Sequence, residues 1–125
     1  MKIDIRITDV AKKQIKHFSK KYLSIFSDLE ILKEELLKNP YLGTEVIPNV
    51  YKIRMAIKSK GKGKSGGARV INYHTETEII VTKNEIDSDA KNELIHTINI
   101  ISIYDKSEVE NITNTEIKNL IENID

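Results

Sequence analysis

The chain has 125 residues and no cysteine. Disulfides, thiol nucleophiles and cysteine-built zinc sites are therefore excluded. Aromatic residues make up only 6% of it, and the basic stretch interleaves just Tyr51 and Tyr73. A module that reads bases by stacking displays more of them. No apolar run approaches the roughly 18 residues that cross a bilayer. The opening MKIDIRITD is polar and alternating, unlike a signal peptide, so the cytoplasm is the expected location. His17, His74 and His96 are scattered without metal-ligand spacing. No hydrolase triad is readable, and GKGKSGG lacks both the GxxxxGK[ST] order and a following helix, so it is not a nucleotide P-loop. No metal and no cofactor are expected.

Acid is also missing from one stretch. The formal net charge is +1, yet residues 46–75 carry seven Lys or Arg and no Asp or Glu, while residues 85–125 carry three basic and ten acidic groups. A protein that coats nucleic acid would be basic throughout, so this segregation points to a local cationic site. Within VYKIRMAIKSKGKGKSGGAR, Tyr51, Ile53, Met55 and Ile57 recur with period two and Lys52, Arg54 and Lys58 take the opposite face. Residues 59–67 then supply four glycines and three lysines, a loop that brings amides and ammonium groups close to an anion. Arg69 stands near the start of the next strand. Two cationic strands joined in this way suit a phosphate backbone.

Ile3, Ile5 and Ile7 alternate with Lys2, Asp4 and Arg6, which predicts a half-buried strand. Val10, Ala11, Ile15, Phe18 and Tyr22 predict an amphipathic helix over residues 9–22. Ser27 and Glu30 have capping-box spacing and open a second helix, with Leu29, Leu32 and Leu36 on one stripe and a stop at Asn39 and Pro40. Residues 41–49, with Gly43 and Pro48, read as a loop. Residues 68–74 and 78–82 read as strands joined by a polar turn at 75–77. Residues 83–95 lack a period and read as a surface excursion with a helical turn from Ser88 to Leu94. INIISIY, residues 98–104, is apolar enough for the sheet interior. Thr113 and Glu116 form a second capping box before a last helix that turns Ile117, Leu120, Ile121 and Ile124 inward. The expectation is one α+β domain over residues 1–125. An N-terminal strand and a helical hairpin pack on a largely antiparallel sheet of four to five strands, followed by a C-terminal helix. Helices on one face would leave the other free for a site.

Cleavage of RNA without a metal needs a base for the 2′-hydroxyl, cations for the charge developing on phosphorus, and a donor for the leaving oxygen. Lys58, Lys60, Arg69 and Lys106 are candidate cations. Lys58, Lys60 and Tyr104 are candidate bases, because neighbouring cations favour a deprotonated lysine or tyrosine. The same residues also suit a binding module that only contacts phosphates.

The run YKIRMAIKSKGKGKSGGARVINY, the later IISIYDKSE and the capped terminal helix resemble the RelE/ParE superfamily of bacterial toxins, in its HigB-like and RelE-like branch. NPYLGTEV before the basic strand fits the same pattern, and the likeness spans nearly the whole chain. It implies a ribosome-dependent mRNA endonuclease that cuts translated codons in the A site by metal-independent 2′-hydroxyl attack. It also implies a cognate antitoxin as partner, a small helix-turn-helix protein. By position, Lys58 and Lys60 match the lysines at the end of the second strand, and Arg69 the arginine on the scissile phosphate. Lys106 stands where a second cation acts as acid or stabiliser. Lys52, Arg54, Lys62 and Lys64 would contact the message backbone or ribosomal RNA. The tyrosine that some RelE-type nucleases present from the C-terminal segment has no counterpart in SEVENIT, which leaves Tyr104 or Tyr73 to replace it. The alternatives are a ParE-like toxin that inhibits DNA gyrase by binding, and a non-catalytic RNA-binding relative.

Overall fold

The computed structural model describes residues 2–81, 91–109 and 111–124. The elements run β1 (Lys2–Ile7), α1 (Asp9–Ser19), α2 (Ile25–Lys38), β2 (Thr44–Ile47), β3 (Val50–Met55), a 3-10 turn (Lys58–Lys60), β4 (Ala68–Val81), β5 (Lys91–Asp105) and α3 (Asn114–Glu122). The strands form a single sheet in the order β1-β5-β4-β3-β2. Among the described residues only β1 and β5 pair in parallel; the other pairings are antiparallel. The α+β class, the N-terminal strand, the helical hairpin and the C-terminal helix are as expected. No helix among the described residues is long and apolar enough to cross a membrane.

Alternation along the strands decides which face each helix covers. Ile53, Val70 and Ile100 point to one face and join Ala11, Ile15, Phe18, Ile25, Leu29, Leu32 and Leu36 of α1 and α2 in the larger core. Their neighbours of opposite parity, Val50, Ile71 and Ile101, form a second core with Tyr104 and Ile117, supported by Leu120, Ile121 and Ile124 of α3. The helices therefore sandwich the sheet, and the expected free face is half covered by α3. The unburied part of that face is where Lys52, Arg54 and Arg69 stand, because they share the parity of Val50 and Ile71.

Several boundaries move for identifiable reasons. α1 ends at Ser19 rather than residue 22, and the Lys20 N–H caps it on His17 and Phe18 carbonyls. α2 starts at Ile25, not at the Ser27 box, because Ser24 takes the N-cap position and Ile25 is drawn completely into the core. The segment read as a loop contains β2. Pro48 and Asn49 turn it directly into β3, Asn49 holding φ of 66°, and Ile47 pairs with Val50. Proline followed by a left-handed residue is the type II turn pattern. Residues 75–77 are not a turn but the middle of β4, held in ladder by Thr75↔Thr97 and Thr77↔Ile95. Of the expected excursion, residues 83–90 lie outside the described residues, whereas Lys91 to Ile95 are strand, so the helical turn from Ser88 to Leu94 does not form over its described part. INIISIY is an interior strand with β1 on one side and β4 on the other. Thr113 caps α3 as predicted, its Oγ1 accepting from the Glu116 N–H at 3.2 Å.

The glycine-lysine loop leaves β3 and enters β4 through Gly67, where an added Cβ would run into the Met55 carbonyl and the Ala56 backbone. Gly63, with φ of +63°, faces open space. Gly67→Ala is expected to destabilise the fold by more than about 3 kcal/mol, since strand backbone must shift, and Gly63→Ala by about 1 kcal/mol from φ alone. Urea titrations of both variants check the ranking; equal midpoints would show that the loop entrance is not tightly packed.

Candidate functional site

β3 delivers Lys52 and Arg54 to the α3 face, and β4 delivers Arg69. Arg54 and Arg69 are direct cross-strand partners. Like charges in that arrangement cost stability, so nothing in the packing favours the pairing. Lys106 arrives on the turn after β5 and Lys64 on the glycine-lysine loop. Together they ring a basin of about 710 Å³ whose other walls are Leu42, Gly43, Thr44, Val46, Ile53 and Asn111. Five cations line it, and no carboxylate among the described residues does.

Arg69 is the fixed member. It is 2% exposed, and its guanidinium donates to the carbonyls of Lys64 at 3.3 Å, Ala68 at 3.4 Å and Ser65 at 3.2 Å. It thus staples the end of the loop to β4 while its charge remains without a carboxylate partner among the described residues. Lys52 donates from Nζ to Asn111 Oδ1 at 2.9 Å. Burial, and then the charges of Arg69, Lys106 and Arg54, push its ammonium below the ordinary lysine value. A lysine whose neutral form is favoured is suited to take a proton.

The structure divides the sequence candidates. Lys52, Arg54, Lys64, Arg69 and Lys106 converge on the basin. Lys58 does not line it; it borders a smaller hollow with Asp28 and Glu35, and its backbone N–H is held by the Asp28 carboxylate at 3.2 Å. Lys60 is consumed in an ion pair, its Nζ 2.9 Å from Asp105 Oδ2. Lys62 lies exposed on the loop, away from the basin lining. Tyr104 is 7% exposed and packs against α3, where burial pushes its phenol up and keeps it neutral. Tyr73 belongs to the same α3 cluster. The tyrosines and the two lysines matched to the strand end are therefore not basin groups, and Lys52 and Arg54, assigned to binding, stand at its centre.

Sequence reasoning missed the groups that hold the loop. Asp28 is 3% exposed and accepts from Ser24 Oγ at 2.7 Å as well as from Lys58 N–H. Asp105 anchors Lys60. The signal for Asp105 was its place at the end of an apolar strand, where a buried acid needs a cation. Sequence distance also hid the pairing of His74 and His96, which the β4–β5 register brings to 2.7 Å between Nδ1 and Nε2. No group of three or more His, Asp or Glu able to hold a metal occurs among the described residues. Compared with known proteins, the chain matches no family model, no curated protein and no solved structure.

Proposed function

We propose that the chain is the toxin of a two-component toxin-antitoxin pair, an endoribonuclease that cuts ribosome-bound mRNA by 2′-hydroxyl attack. The observation that carries this reading is the basin in which five cations meet with no carboxylate among the described residues. A phosphorane in a cleft with no carboxylate and several fixed cations is stabilised electrostatically without a metal. Lys52 takes the 2′-hydroxyl proton, Arg54 binds the equatorial oxygens with the buried charge of Arg69 behind it, and Lys106 donates to the leaving 5′-oxygen. Lys64 binds an adjacent phosphate. The antitoxin would offer the basin acidic groups in place of the message.

Induced expression in a bacterial host tests it, with primer extension on a translated and an untranslated transcript. Arg54→Gln is the comparison, because Arg54 is exposed and its loss leaves both cores untouched. Expected are growth arrest and cuts confined to the translated message, the cuts reduced at least about tenfold in the variant. Arrest without cuts would replace the nuclease by a toxin that binds DNA gyrase, and absence of arrest would leave an RNA-binding protein.

A further inference from the structure

The turn carrying Lys106 and the loop carrying Lys64 reach the basin from different parts of the chain, and one buried carboxylate holds both. Asp105 ends β5 with 4% of its surface exposed. Its Oδ1 accepts from the Ser107 N–H at 2.9 Å and the Ser107 hydroxyl at 2.7 Å. Its backbone carbonyl accepts from the Glu108 and Val109 N–H groups at 3.0 and 2.9 Å. Lys106 is therefore the crest of a turn that closes on Asp105 through both side chain and main chain. On its other side the carboxylate takes Lys60 Nζ at 3.0 and 2.9 Å and the Tyr22 hydroxyl at 3.2 Å. Lys60 ends the 3-10 turn that opens the cationic loop, so the same group fixes the base of that loop.

An apolar pair of similar size would join these segments at no desolvation cost. It would not supply directional bonds to a turn on one side and a loop on the other. The acid also sits one residue from Lys106, yet it is absent from the basin lining and pairs with Lys60 instead.

We propose that Asp105 is a positioning residue that sets the placement of Lys106 relative to the cationic loop, and with it the seat of the phosphate. The consequence for catalysis rests on the nuclease reading; the seat itself does not. Burial pushes the Asp105 carboxyl up, but the Ser107 N–H, Lys60 and the Ser107 hydroxyl outweigh it and hold it at about 2, so the anchor is charged at neutral pH.

The test compares wild type with Asp105→Asn, with Asp105→Asn combined with Lys60→Met, and with Ser107→Ala. Asp105→Asn alone leaves a half-buried ammonium unpaired and is expected to melt lower; the double variant removes that charge and regains most of the melting temperature. Inorganic phosphate is titrated by NMR on the Lys106 and Arg69 amides. Affinity is expected to fall at least about fivefold in the double variant and about threefold in Ser107→Ala, whose melting temperature falls less than that of Asp105→Asn. Cleavage on programmed ribosomes is expected to fall about thirtyfold in kcat for the double variant with little change in KM. A double variant that regains both stability and wild-type phosphate affinity overturns the proposal, as does unchanged affinity in Ser107→Ala or a wild type whose Lys106 amide ignores phosphate. Lost phosphate affinity in a protein whose wild type cuts no message upholds the positioning role and rejects the nuclease reading instead.

Discussion

Lys52→Met is expected to lower the rate of message cleavage on the ribosome by about a thousandfold, within the range that general bases contribute. Methionine approximates the length of the stem and loses the ammonium with its bond to Asn111. Lys52 is one of five cations there, so RNA affinity falls little and the salt dependence of binding weakens by only about one counterion. The size of the effect follows from where the charge stands. Burial is the main cause of its lowered pKa, followed by repulsion from Arg69, Lys106 and Arg54. The base form is therefore populated at lower pH than in an exposed lysine, and the wild-type rate should rise with pH and level off below the ordinary value. Lys52→Arg separates the roles, since arginine keeps the charge and the reach but does not give up its proton. A Lys52→Arg enzyme that cleaves as fast as wild type would make Lys52 an electrostatic contact and return the base to another group.

Much of this arrangement was legible in the sequence, and the parts that were not share a cause. The cationic strand announced itself because Lys52 and Arg54 alternate with Ile53 and Met55, and parity along a strand is a local property. The convergence of Arg69 and Lys106 on it was foreseeable once two strands were expected to pair. Lys58 and Lys60 were misplaced because the period of two was carried past Met55, where the chain leaves the strand and enters a 3-10 turn. There Lys60 swings to the α1 and α2 face to meet Asp105 and Tyr22. β2 was missed because Pro48 and Gly43 are loop signals, although both sit outside the four-residue strand. The second face of the sheet was read as open because α3 is short and its apolar side looks the same whichever face it covers. Only long-range packing decides that.

The same long-range pairing sets the response to acid. His74 and His96 are 5% and 1% exposed. Tyr41 stacks on His74 with centroids 5.3 Å apart and meets His96 edge-on at 5.2 Å, and Tyr51 lies 4.7 Å from His74. Glu76 reaches His96 Nδ1 at 3.6 Å, and Glu45 is the other acid that acts on His74. His74 Nε2 has no hydrogen-bond partner among the described residues, so a proton there would be buried and unpaired. Burial, and then His96, lower the His74 pKa from 6.5 to about 4. The unfolded chain takes up this proton near 6.5 and the folded chain only near 4, so between those values the unfolded state binds more protons. The stabilisation is complete above the higher value, declines as pH falls, and is gone below the lower one. Its full size is about 3 kcal/mol. Asp105, held at about 2 against 3.8 in the free residue, adds a second loss of about 2 kcal/mol that begins only where the first is nearly spent. Chemical denaturation from pH 7 to 2 should show the larger fall first. In a His74→Phe, His96→Phe variant that first fall should shrink by about 3 kcal/mol while the Asp105 step remains. An unchanged slope between pH 6.5 and 4 in that variant would show that His74 is charged as readily in the fold as in the open chain, against the geometry of a ring buried against Tyr41, Tyr51 and His96.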